Sequence, residues 1–244
     1  MLSVFCATIL FSATQFVIAD EDDNNKPNDK YLEILKSIQD RPGDVQLGNA
    51  LRVECRKEKY IDLCIDDLNK LTDTYPEIRE LRYNAALAYV DKLPGFSLYK
   101  QGWLSTRSMA HMTKVIDAHP GDWLAFYIRG MNNLHWPQWF KRTGAAIEDL
   151  QKCIDIIEAV EPKARQDYYV LCYIALGDAY AKNIQSESAY AIWKRGLAAF
   201  PPSKQIKQRL NLKKDELSAF VDKVRDLDKP IDTDLIVLQD NSRL

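Results

Sequence analysis

The sequence predicts an all-α protein built from pairs of helices repeated along the chain. Three observations carry this expectation. Prolines able to end a helix stand at Pro42, Pro76, Pro120, Pro162 and Pro201, separated by 34, 44, 42 and 39 residues; each lacks the N–H that would continue the helical ladder. Between them, apolar residues recur three and four apart, the period of an amphipathic helix. No segment alternates apolar and polar residues as a half-buried strand does.

Residues 1–19, MLSVFCATILFSATQFVIA, carry no charge and end in Val17-Ile18-Ala19. This is the small-residue pattern of a secretory cleavage site, so a signal peptide and a periplasmic or secreted location are expected, with an uncleaved anchor as the alternative. Residues 20–29, DEDDNNKPND, are too polar to form core and read as a flexible acidic leader. The helical array is expected over 30–225. Tyr31, Leu32, Ile34, Leu35 and Ile38 form the stripe of a capping helix that stops at Arg41-Pro42. Leu51 and Cys55, then Cys64, Leu68 and Leu71, supply the first pair. Ala85, Ala86 and Tyr89, then Ser108, Met112 and Val115, supply the second, and Phe126, Gly130 and Leu134, then Ala146, Leu150 and Cys153, the third.

Two insertions break the 34-residue frame. About ten extra residues, DKLPGFSLYKQG, lengthen the turn of the second pair, with Pro94-Gly95 marking a loop. In the third pair Trp136-Pro137-Gln138-Trp139 makes the turn, because Pro137 is excluded from a helix interior. After Pro201, QIKQRLNLKKDELSAFVDKVRDL reads as one charged amphipathic cap. Residues 226–244 read as an extended or disordered tail, or as an arm whose Leu235-Ile236-Val237-Leu238 run folds back on the array or on a neighbour.

The most regular stretch is 170–203. It carries Tyr173-x-x-Leu176-Gly177-x-x-Tyr180, then Ala189-x-x-x-Trp193, then Pro201, with the small Gly177 and Ala189 where two helices must approach. This resembles a tetratricopeptide repeat, a 34-residue pair of antiparallel helices. The resemblance extends over about 45–203 and implies roughly four repeats in a right-handed α-solenoid with capping helices. It also implies a protein-binding module or assembly factor whose first helices line a concave groove for another protein or peptide. Transferred position by position, it places Tyr83, Leu87, Tyr127, Met131, His135, Asp178 and Lys182 in that groove, beside Gln46, Arg56 and Asp91. The insertions 92–104 and 136–142, with Phe96, Tyr99, Trp103, Trp136 and Trp139, are expected to complete the partner site, since aromatic residues are favoured at interface hot spots.

Past the signal segment stand Cys55, Cys64, Cys153 and Cys172, with no C-x-x-C or C-x-x-C-H motif, against thioredoxin-like chemistry and haem attachment. Of the three pairings four cysteines allow, only Cys55 with Cys64 plus Cys153 with Cys172 joins neighbours in the architecture the resemblance implies. Two disulfides are one reading; one bridge, or four small buried thiols, are the others.

The chain has 244 residues, 46% hydrophobic and 28% charged, with a net charge of −2, which gives no reason to expect nucleic acid or an anionic membrane as partner. All three histidines and every methionine after the initiator fall within 109–135. Met109, His111, Met131 and His135 therefore offer an alternative, a copper-binding or metal-delivery role, because thioether and imidazole ligands suit Cu(I); packing explains the same residues without a metal. No cofactor is expected otherwise. No nucleophile motif, glycine-rich phosphate loop or H-E-x-x-H is present, so an enzyme is not expected. Arg129 stands where the repeat wants leucine, and an ion pair with Asp149 or Asp155 is the expected accommodation.

Overall fold

The structure, a computed structural model, describes residues 26–226, 231 and 233–239. The expected signal peptide 1–19, the leader up to residue 25 and the remainder of the tail lie outside the described residues. The described residues contain eleven α-helices and no strand. They are α1 (Asp29–Asp40), α2 (Val45–Glu58), α3 (Ile61–Thr74), α4 (Arg79–Asp91), α5 (Leu98–Ala118), α6 (Trp123–Leu134), α7 (Thr143–Glu158), α8 (Val170–Lys182), α9 (Ser186–Ala199), α10 (Lys204–Leu210) and α11 (Leu217–Val224).

The starts of α1, α2, α6 and α10 are set by side-chain caps. Asn28, Asp44, Asp122 and Ser203 each accept a hydrogen bond from a backbone N–H two or three residues on, satisfying a donor the first turn leaves free. Consecutive helices pack as neighbours, most extensively α4 with α5, α6 with α7 and α8 with α9, while α2, α4, α6 and α8 also touch in series. Two apolar clusters result. One joins α1 to α5 through Tyr31, Leu51, Leu68, Leu81, Ala85 and Leu104; the other runs from Leu87 through α6 to α9 and takes in Leu235, Val237 and Leu238 of the tail.

Two expectations change, and the described part of the tail follows the second of its two readings. The long second turn shrinks to residues 92–97, because from Leu98 onward the inserted residues keep the helical period and α5 absorbs them as two extra turns. The capping segment after Pro201 is two helices, α10 and α11, separated at Asn211, where the α10 ladder stops, and by a 3-10 turn at Lys214–Glu216. The tail residues 231 and 233–239 lie against the helices, with a 3-10 turn at Ile236–Gln239. Arg129 resolves as an internal pair, its Nε and Nη2 meeting the two carboxylate oxygens of Asp149 at 2.9 and 2.7 Å.

Gly177 shows why the α8–α9 pair needs a glycine. A Cβ there would overlap the indole of the fully buried Trp193, which donates from Nε1 to the Ile174 carbonyl. Gly177→Ala is therefore expected to destabilise by about 1–3 kcal/mol through overpacking, although alanine gains roughly 1 kcal/mol in helix propensity. Gly144→Ala in α7, where nothing lies within 4 Å of the new methyl, is the control and should be neutral or stabilising. Urea unfolding of the two variants checks this, and an unchanged Gly177→Ala midpoint contradicts the close approach.

Candidate partner-binding site

The two aromatic insertions converge on α5. Trp136 follows directly on α6 and the His135 that caps it; its indole reaches back to α5, donating from Nε1 to Ser105 Oγ at 3.2 Å and lying 3.7 Å from where a Cβ on Gly102 would stand. The Arg142 guanidinium stacks over this ring at 4.6 Å and also donates to Ser105 Oγ at 2.9 Å. Pro137 then turns the chain outward, and the 3-10 turn Gln138–Phe140 stacks Trp139 on Phe140 at 3.9 Å. On the adjoining side of α5, Lys100 lies over both Phe96 and Trp103, and Arg107 over Trp103, at 4.9–5.9 Å. Tyr99, one turn before Gly102 and Trp103 on α5, is 88% exposed; Trp139 is 66% exposed, and Phe96, Leu98 and Trp103 are also exposed.

This separates the five aromatic residues named for the insertions. Phe96, Tyr99, Trp103 and Trp139 remain on the surface, whereas Trp136, 2% exposed, is a packing residue. The reason is position relative to Pro137, since the residue before the turn points back to α5 and the residues after it point away.

The face formed by α2, α4, α6 and α8 is covered by the chain's own tail. Leu235 lies against Leu87, Val90, Tyr127, Ile128 and Met131, closing a small apolar cavity of about 30 Å3 that Ile231 also lines. Further on, Leu235, Ile236 and Val237 meet Trp123, Leu124, Tyr168 and Leu171, where Trp123 stacks on Tyr168 and is met edge-on by Tyr169. At the α2 end, Arg52 donates to Asp91 Oδ2 at 2.9 Å and to the Thr233 carbonyl at 3.1 Å. Arg56 donates to the same Asp91 oxygen at 3.0 Å and to both oxygens of Asp234 at 2.6 and 2.7 Å. The Thr233 hydroxyl donates to Asp91.

Most residues assigned to an open groove are thereby buried. Leu87 and Tyr127 lie under the tail, and Met131 is partly covered. Tyr83 is buried because its hydroxyl donates to Asp122, whose charge and the burial raise the tyrosine pKa. Asp178 is fully buried and held by Arg209 of α10 and by Arg225 just past α11. Lys182 is buried too, its Nζ donating to the Leu134 carbonyl at 2.9 Å, and burial holds its pKa below the usual lysine range. His135 hydrogen-bonds through Nδ1 to the Met131 carbonyl at 2.9 Å, which places the proton on that nitrogen, and burial pushes its pKa down to about 4. A cleft of about 410 Å3 opens beside these residues, lined by His135, Pro137, Trp139, Lys182, Asp222 and Arg225. The cap helices that bury Asp178 come from 26 or more residues further along the chain, a contact that helical spacing does not encode.

The two histidines of the Met/His alternative are engaged in separate contacts. His111 on α5 meets the Asn69 amide oxygen at 3.1 Å and packs on Tyr89, while His135 sits at the end of α6 with its Nδ1 engaged. Among the described residues no group of three or more His, Cys, Asp or Glu is placed to hold a metal ion. Among the described residues the four cysteines, Cys55, Cys64, Cys153 and Cys172, are buried free thiols. The thiols of Cys55 and Cys64 are hydrogen-bonded, as are those of Cys153 and Cys172, and this contact together with burial raises the pKa of Cys64 and Cys153. The two pairs are thus adjacent as reduced sulfhydryls, which corresponds to the reading of four small buried thiols; the pairing into disulfides is not formed here. Among the described residues no helix is long and apolar enough to cross a membrane. Compared with known proteins, the chain matches no family model and no curated sequence.

Proposed function

We propose that this chain is an exported, periplasmic or secreted, tetratricopeptide-like α-solenoid that serves as a binding module or assembly factor for another protein. The serial contacts of α2, α4, α6 and α8 and the close fit of Gly177 to Trp193 support the repeat reading. The observation that carries the function is the aromatic surface at the two insertions. Phe96, Tyr99 and Trp103 are exposed at one insertion, with Lys100 over Phe96 and Trp103 and Arg107 over Trp103, and Trp139 and Phe140 are exposed at the other. Contiguous apolar surface rimmed by charge marks protein interaction sites, and Trp, Tyr and Arg dominate their energetics.

A photo-crosslinking amino acid at Tyr99 tests this in cells that express the protein natively. The expected result is one discrete adduct, absent when the same probe replaces the exposed Lys152 of α7, and lost on Trp139→Ala. Adducts of equal number and yield from both positions would refute a dedicated surface.

A further inference from the structure

The segment on the α2–α8 face is held differently from the helices beneath it. The helices bond within their own ladders, whereas 233–239 is attached to the face by side chains of α2 and α4, by Gln46 Nε2 at its far end (2.7 Å to the Gln239 carbonyl), and by apolar contacts of Leu235, Val237 and Leu238. Its own backbone bonds stay within the segment, as from Leu238 N–H to the Leu235 carbonyl. Lifting it off breaks no bond of any helix ladder. The charge balance at its head is also telling. Arg52 and Arg56 share a single buried carboxylate of the array, Asp91, which leaves one positive charge over, and Asp234 neutralises it by giving Arg56 both oxygens. A clamp of this kind, with Arg52 and Asp91 buried and Arg56 reaching the surface, recognises a carboxylate, and the apolar residues that line a cavity with Leu235 recognise the aliphatic residue that follows.

We propose that Arg52, Arg56, Asp91 and the apolar surface beyond them form a receptor for a partner segment bearing a hydroxyl-carboxylate pair followed by aliphatic residues, and that 233–239 is its tethered competitor. The pattern is Thr-Asp-Leu-x-Val-Leu, as Thr233 to Leu238 present it. This deepens the binding-module reading and rests on it. Because the competitor is covalently attached, it acts at a high effective concentration, and a free segment binds weakly until the tether's own anchors are weakened.

The test uses the full chain and a fluorescein-labelled synthetic peptide, PIDTDLIVLQD, the sequence of residues 230–240. In Thr233→Ala/Asp234→Asn, which spares the aliphatic anchors, the peptide should bind at least tenfold more tightly than to the wild-type chain. Adding Arg56→Glu should return binding to the wild-type level. An unchanged Kd in a variant that keeps its helical circular dichroism overturns the proposal, and so does loss of the fold, because the tail would then be structural core. Retention of the Tyr99 adduct with failed peptide binding sinks only this proposal, whereas loss of adduct specificity with peptide binding intact sinks only the aromatic surface.

Discussion

Replacing Asp178 by alanine should lower the thermal midpoint by about 10 °C, the largest effect of any single polar substitution expected in this chain. The carboxylate is fully buried on α8 and receives Arg209 on both oxygens, at 2.5 and 2.8 Å, and Arg225 through Nε at 2.9 Å. Removing it leaves two guanidiniums without their shared counter-charge, Arg209 buried and Arg225 mostly so. Breaking such a buried pair from one side costs about 3–5 kcal/mol, far more than the pair itself contributes. At roughly 2–4 °C per kcal/mol for a chain of this size, the midpoint shift follows. The consequence is local before it is global, since Asp178 is what ties α10 and the end of α11 to the array. Differential scanning calorimetry of Asp178→Ala beside Glu187→Ala, whose exposed carboxylate meets Lys214, measures the difference. Equal midpoints would mean that the cap is held by its apolar contacts alone.

Acid should destabilise the protein well before its carboxylates titrate. His111 and His135 both have pKa values pushed down to about 4, in each case mainly by burial, with Arg82 adding to the effect at His111 and Arg225 at His135. In the unfolded chain histidine titrates near 6.5. As pH falls below about 6.5 the unfolded state takes up protons that the folded state refuses, so the stability present above that value is lost progressively down to about pH 4. Each histidine accounts for about 3 kcal/mol of this change. The geometry agrees with neutral rings. His135 donates from Nδ1 to a carbonyl. At His111 the Asn69 amide, itself oriented by donating to the Tyr89 hydroxyl at 2.9 Å, accepts from Nε2, and Nδ1 has no hydrogen-bond partner among the described residues. Urea midpoints at pH 7.5 and 4.5 should differ strongly for the wild-type chain and much less for His111→Gln/His135→Gln. Identical losses in the two proteins would assign the acid sensitivity elsewhere.

The sequence by itself determined what depends on neighbours within a helix pair or in the next one, up to about twenty residues away. Helix-ending prolines and apolar periodicity marked the helices from α1 to α9, though not the start of α5, because both act through the local backbone ladder. The small Gly177 opposite Trp193, the Arg129 pair with Asp149, and the adjacency of Cys55 to Cys64 and of Cys153 to Cys172 were legible for the same reason: each lies within one helix pair or between consecutive ones. Tertiary structure alone decided which side chains meet solvent. Trp136 and Trp139 have the same composition and nearly the same position, yet the turn at Pro137 sends one into α5 and the other outward. Asp178, Lys182 and His135 read as groove residues until α10, α11 and the returning chain covered them, and Arg52 met the Thr233 carbonyl across 181 residues of sequence. Contacts of that separation leave no periodic trace, since they are fixed by how whole helices stack and by the charge each buried group must find.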